Sequence, residues 1–430
     1  MRTFTILWLG QMVSSIGSSM TYFTLTLWIW QRTESVTAIA LITFFFQLPQ
    51  IGIALFSGIL VDRVARKHLL VLSDTVAAGC TLSVGILYAA QHLQPWHLYL
   101  IAAILGCFEN IQALTYSTTI PLIVPKQHYT RASSMGAMVG YGAAILGPAF
   151  AGTLYPLIGL LGITLIDLST FAVAIATLLV IPIPRTRIEP GEISQTSGIK
   201  HLWQTMTFGF RYISSQPSLL SLVIFMSLFA FLNQMGETLY QPMILARTGG
   251  NTQVLGTVVA ASGIGGVVGA LILSVWGGFR RRVSGMLVGL IGTGFSKLVM
   301  GIGQLPVIWV AAHWGTSLHS PLIFSSYMAV WYAKVAPELQ GRVFAADYLI
   351  GLVIEASANL IAGPLADQVF EPAMQSSRWW VSSVSSIVGI GAGSGIALFY
   401  VILAICLVCL GIGGSMIRRL REAESLMPDQ

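Results

Sequence analysis

Charge is what this sequence has least of: Asp, Glu, Lys and Arg make up 9% of its 430 residues, against 55% hydrophobic residues and a mean hydropathy of +0.78. Soluble domains carry roughly a quarter of their residues as charges. An aqueous globular fold is therefore excluded, and lipid is the solvent this composition suits. Cysteine is also scarce. Cys80, Cys107, Cys406 and Cys409 all fall in apolar runs, and the Cys406–Cys409 pair has no second pair to complete a metal or redox site, so all four read as small buried apolar groups. A phosphate-binding loop is missing as well. Gly263, Gly265, Gly266 and Gly269 follow no strand and miss the dinucleotide spacing. His313 and His319 have no carboxylate at ligand spacing. The chain is thus expected to be no enzyme and to hold neither metal nor cofactor. Its work must be driven by an ion gradient or by the substrate's own gradient.

What the chain does have is long apolar runs, at approximately 4–30, 36–60, 68–91, 96–120, 131–155, 158–182, 217–245, 252–276, 283–304, 306–333, 342–367 and 394–417. A helix needs roughly 20 such residues to cross a bilayer, so twelve transmembrane helices are expected. The first run is too long for a signal peptide and has no small-residue cleavage site behind it, so it stays as the first helix. Numbering the loops alternately from an internal N-terminus leaves only Arg32, Arg247 and Arg378 outside and Lys297 within a span, with the other eighteen of 22 Lys and Arg on one side. Basic loops resist translocation, so that side is cytoplasmic and both termini face it. The net charge of +6 is accordingly a topology signal; no stacked aromatic face accompanies it to suggest nucleic acid.

Between 183 and 216 the composition turns to Pro, Arg, Glu, Gly, Ser and Gln, which marks a cytoplasmic connection between an N-terminal half, 1–182, and a C-terminal half, 217–430. The halves echo each other. Pro125, Arg131 and Gly147-Pro148 correspond approximately to Pro337, Arg342 and Gly363-Pro364, as in transporters built from repeats. The expected architecture is an all-α membrane protein of two six-helix pseudo-symmetric halves.

The segment Gly58 to Leu70, a cationic turn between the second and third runs, carries a signature. Gly58, Leu60, Asp62, Arg63, Arg66, Lys67 and Leu70 match Gly-x-Leu-x-Asp-Arg-x-Gly-Arg-Lys-x-x-Leu, with Ala65 at the second Gly. This resembles the major facilitator superfamily over the whole chain. Leu7-Trp8-Leu9-Gly10-Gln11, Ile166 to Phe171, Gly341-Arg342-Val343-Phe344 and Ala362 to Asp367 resemble its macrolide-efflux and siderophore-exporter branch. The resemblance implies that Asp62 latches onto the N-terminus of helix eleven near Gly341-Arg342, where the helix dipole favours an anion. Arg63, Arg66 and Lys67 share in that gate or enforce topology. Gly147, Pro148 and Gly152 resemble the helix-bend motif of exporting members, with Ala151 where Gly is usual; ordinary small-residue packing is the other reading. Many proton-drug antiporters carry an Arg in helix four, whereas 100–110 here has Gly106 and Glu109 but no Arg. The coupling apparatus is therefore absent or rebuilt.

Ionisable groups inside spans are costly to insert and usually face a cavity or a partner. Glu109, Asp167, Glu237 and Glu355 are the candidates for coupling or substrate binding, with Asp74 and Asp347 nearer the cytoplasm and Asp74 read as structural. A desolvated carboxyl can bind and release a proton as access alternates. Gln11, Tyr22, Phe23, Asn110, Tyr116, Asn233, Gln234 and Tyr240 make up an expected cavity wall, suited to a bulky amphiphile. Trp379 and Trp380 read as belt residues of an outer loop. The expected function is a monomeric secondary exporter of amphipathic compounds in the cell membrane, drug-like or macrolide-like, exchanging them for protons. Export of a siderophore or other natural product is the alternative, and a non-transporting receptor or scaffold the competing class.

Overall fold

In hydrocarbon no water is available to bond backbone N–H and C=O groups, so a run of apolar residues satisfies them within its own segment and becomes helix. The computed structural model describes residues 2–54, 56–57, 60–61, 64–182, 199–376 and 379–417, and no strand occurs among them. Five helices make up most of the first unit: α1 (Arg2–Thr33), α2 (Val36–Ile53), α3 (Arg66–Ala89), α4 (Pro95–Ile123) and α5 (Tyr129–Val180). Their ends follow local chemistry. The Ser35 hydroxyl accepts the Ala38 amide at 3.2 Å to cap α2, and Pro95 opens α4 where its missing N–H costs nothing. The two expected spans 131–155 and 158–182 are the two arms of α5, separate helices that meet at a kink. The break in helical geometry between them is Gly159, at φ +64, a backbone setting that a residue without Cβ adopts freely.

The remaining helices are α6 (Ile199–Ser215), α7 (Pro217–Arg247), α8 (Thr252–Trp276), α9 (Arg282–Ile302), α10 (Pro306–Lys334) and α11 (Pro337–Leu365). A π-helical turn at Ala366–Phe370 leads into α12 (Glu371–Met374), followed by α13 (Trp379–Val388) and α14 (Ser394–Met416). Among the described residues, nine helices are long and apolar enough to cross a membrane. α1 and α10 are as long but carry more Ser, Thr, Gln and His. With α5 supplying two arms, each of the twelve expected runs has its helix. Two expectations change. The connection 183–216 is not all loop, because 199–215 is the helix α6, and the rest of it, 183–198, lies outside the described residues. The connection between the last two expected spans, read from the sequence as an outer loop, is likewise partly helical, with Trp379 opening α13 at 86% exposure.

The described chain divides into two compact units, one of residues 2–182 and 248–263, the other of 199–247 and 264–417. In the first, α1 lies against α5 through small residues: a Cβ on Gly10 would stand 2.3 Å from Thr177 Oγ1, and one on Gly17 2.3 Å from Thr170 Oγ1. Close backbone approach of this kind is what holds helices together where lipid removes the hydrophobic drive. In the second, Leu222, Phe225, Met286, Leu290, Trp331 and Leu407 pack a continuous core among α7, α9, α10 and α14.

Candidate functional site

Each unit contains polar groups that its helices bring together inside the apolar layer. In the first unit, Asp74 of α3 is 1% exposed and accepts Gln112 Nε2 of α4 at 2.7 Å and Gln11 Nε2 of α1 at 2.9 Å, while Gln112 also donates to Gln11 Oε1 at 3.1 Å. Two amides thus satisfy one carboxylate by hydrogen bonds, with no cation in an ion pair with it among the described residues. Glu109 stands one turn before Gln112 on α4, exposed and within electrostatic reach of Asp74, and no hydrogen bond to its carboxylate occurs among the described residues. A second carboxylate, Asp167 of α5, is also 1% exposed. Thr21 and Thr81 hydroxyls donate to Oδ2 at 2.7 and 3.0 Å, and Ser18 and Thr170 approach Oδ1 at 3.4 and 3.5 Å. Three helices therefore close a cage of hydroxyls around it.

The second unit solves the same problem with an ion. Lys297 of α9, 1% exposed, donates to Glu237 Oε1 of α7 at 2.8 Å and to the Asn233 carbonyl at 3.0 Å, and its ammonium lies 6.0 Å from the centroid of the Tyr400 ring. It is the one ion pair among the described residues. His313 of α10 is buried edge-on against Tyr240, with ring centroids 4.4 Å apart, and lies within electrostatic reach of Glu237. Linear spacing gave His313 no carboxylate; the folded chain supplies one from a different helix. Gln234 and Thr238 of α7 both donate to Asn359 Oδ1 of α11, at 3.1 and 2.6 Å.

Beside this network is a cavity of about 370 Å³ bounded by α7, α10 and α11. Its wall includes Met226, Phe324, Tyr327, Met328, Phe344 and Tyr348, with Asp347 and Glu355 of α11 as its charged members. Tyr327 donates to Asp347 Oδ1 at 2.6 Å.

Of the expected wall residues, Gln11, Phe23 and Tyr240 are buried in helix packing at 7%, 3% and 7% exposure, so they do not face open space. A polar residue in such packing is taken up by a neighbour, as Gln11 is by Asp74. Tyr22 is exposed and shares a hydrogen bond with Thr43 at 3.2 Å; Asn110, Asn233 and Gln234 are half-buried. Tyr116 packs against the apolar clusters that contain Leu7 and Phe4, with its hydroxyl buried and unbonded among the described residues. Of the residues expected to form a gate, Gly58, Asp62 and Arg63 lie outside the described residues. Lys67 donates to the carbonyls of Leu179 and Ile181 at 2.8 and 2.9 Å, capping the C-terminus of α5, while Arg342 stacks over Phe208 of α6 at 5.6 Å. Arg66 keeps Nε and Nη1 buried. In the bend motif, a Cβ on Gly147 would lie 2.3 Å from Ser19 Oγ and one on Gly152 2.9 Å from the Thr252 carbonyl; Pro148 and Gly363 are buried and Pro364 half-buried.

Lys297 is the residue that sequence reasoning passed over. An ammonium inside a span requires a counter-charge, and that requirement could have pointed to Glu237. The hydroxyls around Asp167 carry no such signal, because Thr and Ser are common in membrane helices.

Helices of membrane length and partnered charges inside the spans define a multi-pass membrane protein. The chain belongs to the Major Facilitator Superfamily, whose profile matches residues 7–353; this is a family of transporters of small molecules and not of enzymes. It is similar to macrolide efflux protein A of Streptococcus pyogenes, 22% identical over 391 residues that cover 90% of this chain and 93% of that protein. It is also similar to the multidrug efflux pump Tap of Mycolicibacterium fortuitum, 23% identical over 83% of this chain and 87% of the pump. Among solved structures, the nucleoside transporter NupG shares the fold with a TM-score of 0.71 at 12% identity, covering 96% of this chain and 99% of that one.

Proposed function

We propose that this transporter is a secondary exporter of amphipathic organic compounds, driven by exchange for protons and working by alternating access between its two six-helix halves, 1–182 and 217–430. Both termini and the connection 183–216 face the cytoplasm, and the chain acts as a monomer in the cell membrane. The observation that carries the reading is the contrast among the intramembrane carboxylates. Asp74, Asp167 and Glu237 are each held by donors from other helices, whereas Glu109 is exposed and carries no such bond among the described residues. A group that loads and releases a proton must be reachable and must not be locked to a fixed partner. Glu109 fits that role, beside an amide network that can reorganise when its charge changes. Export and an amphipathic cargo draw support from the macrolide and multidrug efflux proteins among the relatives.

Reconstituted into proteoliposomes, the wild type should move ethidium in response to an imposed proton gradient, and Glu109→Gln should abolish that flux while leaving ethidium binding intact. Gradient-driven flux surviving in Glu109→Gln would remove Glu109 from the coupling path and transfer the role to Glu237, Asp167 or Glu355.

A further inference from the structure

At one end of the first unit lies another cavity, of about 470 Å³, where α1 and α3 finish and the second arm of α5 begins. Its volume is within the range of small-molecule sites, roughly 300 to 1,000 Å³. Trp28, Arg32, Tyr88, Gln91, Leu93 and Leu161 line it, and no carboxylate is among the lining residues described. On the orientation proposed above, Arg32, Arg247 and Arg378 are the Lys and Arg side chains on the outer side, where the insertion bias leaves few. Each therefore calls for a local reason. Arg247 has one, since it donates to the Gly303 carbonyl at 2.8 Å and to the Val388 carbonyl, and Arg378 lies outside the described residues. The exposed Arg32 guanidinium has neither a hydrogen bond nor an ion pair among the described residues. Gln91 is the second unusual feature of this wall. Where α3 ends, the Gln91 N–H donates to the Tyr88 carbonyl at 2.9 Å and the His92 N–H to the Leu87 carbonyl at 2.8 Å, the pairing of a Schellman cap. The left-handed position of that cap usually holds glycine, yet here Gln91 occupies it at φ +58. A strained backbone that carries a carboxamide into a cavity points to a use for the side chain.

The cavity runs into surfaces that suit lipid. A Cβ on Gly85 of α3 would lie 3.4 Å from Thr164 Oγ1 of α5, so the two helices are in contact about one turn from Tyr88 and Leu161. Leu82 and Ile86 on α3, and Leu161 and Leu165 on α5, are exposed, each pair four residues apart on one helix face. We propose that this cavity holds the headgroup of an anionic phospholipid, with Arg32 bonding the phosphate, Gln91 bonding the headgroup hydroxyls, and an acyl chain lying along the exposed faces of α3 and α5. A free anion would use the guanidinium and leave those apolar faces bare. A zwitterionic headgroup would bring an ammonium for which the wall has no carboxylate. Trp28 and Tyr88 suit the headgroup level, where rings with a polar edge sit between lipid and water. A lipid held here bridges α1, α3 and α5, and the proposal is independent of the exporter reading.

The test is native mass spectrometry of the purified full chain titrated with dioleoylphosphatidylglycerol, with dioleoylphosphatidylcholine as the zwitterionic reference. The wild type should bind the anionic lipid about tenfold more tightly than the reference, as one charge-assisted hydrogen bond would give. Arg32→Gln should bring it down to the level of the reference. Arg211→Gln, which removes an exposed cation of α6 in the other unit, should leave the preference unchanged and so controls for general charge. Gln91→Gly should weaken the anionic lipid by about threefold while raising the midpoint of thermal unfolding in lipid-free detergent, because glycine adopts φ +58 without strain. A residue serving only as a cap would give the rise without the loss, and this variant keeps the proposal testable if Arg32→Gln fails to fold. Equal binding of the two lipids by the wild type, or an anionic preference that survives both Arg32→Gln and Gln91→Gly, overturns the site. Displacement of the anionic lipid by an equal concentration of glycerol phosphate would show that a free anion suffices, and it overturns the lipid assignment.

Discussion

Asp167 in the first unit and Glu237 in the second are both carboxylates inside membrane spans, yet they are held by different chemistry. Asp167 is ringed by the hydroxyls of Ser18, Thr21, Thr81 and Thr170, all neutral donors. Glu237 instead meets the Lys297 ammonium at 2.8 Å. Neutral donors are cheap to bury and individually replaceable, because each contributes one hydrogen bond. An ion pair is strong only while both members are present, and each member's burial cost falls on the protein when the other is lost. The first arrangement tolerates loss of the charge it surrounds, and the second does not.

The same amide swap at both positions should therefore separate the units most clearly. Glu237→Gln leaves Lys297, 1% exposed, without a counter-charge and should cost about 3 kcal/mol or more. Asp167→Asn keeps one oxygen to accept Thr21 and Thr81, while its amide nitrogen donates towards Ser18 and Thr170, whose hydroxyls can turn to accept, and it should cost about 1 kcal/mol. The midpoint of unfolding by sodium dodecyl sulfate in mixed micelles reads both, and equal losses would break the comparison. The reverse deletion, Lys297→Met, should cost less than Glu237→Gln, because the Glu237 side chain keeps 33% of its surface outside the protein packing whereas Lys297 keeps 1%. Replacing both together, Glu237→Leu with Lys297→Met, should recover most of the loss, since a well-packed apolar pair replaces a buried ion pair at little or no cost.

A finer test lies within the hydroxyl cage. Thr21→Val removes the shortest donor to Asp167 Oδ2, at 2.7 Å, and leaves Thr81 on the same oxygen at 3.0 Å. A loss of about 1 kcal/mol is expected for the single change, and Thr81→Val added to it should cost more than the sum, because Oδ2 then loses both of the donors that bond it. Strict additivity would show that the hydroxyls act independently of the carboxylate.

The contrast explains what was legible beforehand. Helix number, chain order and the carboxylate candidates all follow from hydropathy and from the cost of charge in lipid, which are properties of single residues. The bonds that give those carboxylates their character do not. Lys297 and Glu237 are sixty positions apart, and Asp74 draws donors from Gln11 and Gln112 on two other helices. Such meetings depend on helix rotation, which a run of Leu, Val, Ile and Ala leaves undetermined. Gly159 was hidden for another reason. A glycine among 44 gives no sign that its φ will turn positive and set the kink between two spans.

The smallest expected effect concerns Lys67, which belonged to the cationic signature yet forms a bond inside its own unit. Its ammonium donates to the Leu179 and Ile181 carbonyls, where α5 ends and leaves acceptors without helical partners. Lys67→Met keeps the length of the side chain and removes the charge, and it should cost about 0.3 to 1 kcal/mol. If the residue serves only as this cap, flux in proteoliposomes should fall no further than the loss of folded protein accounts for. A gate residue would behave otherwise, with turnover collapsing in protein of unchanged stability. Lys67→Arg separates the two further, because a guanidinium can still donate to both carbonyls while its planar fork alters any contact that depends on a compact point charge.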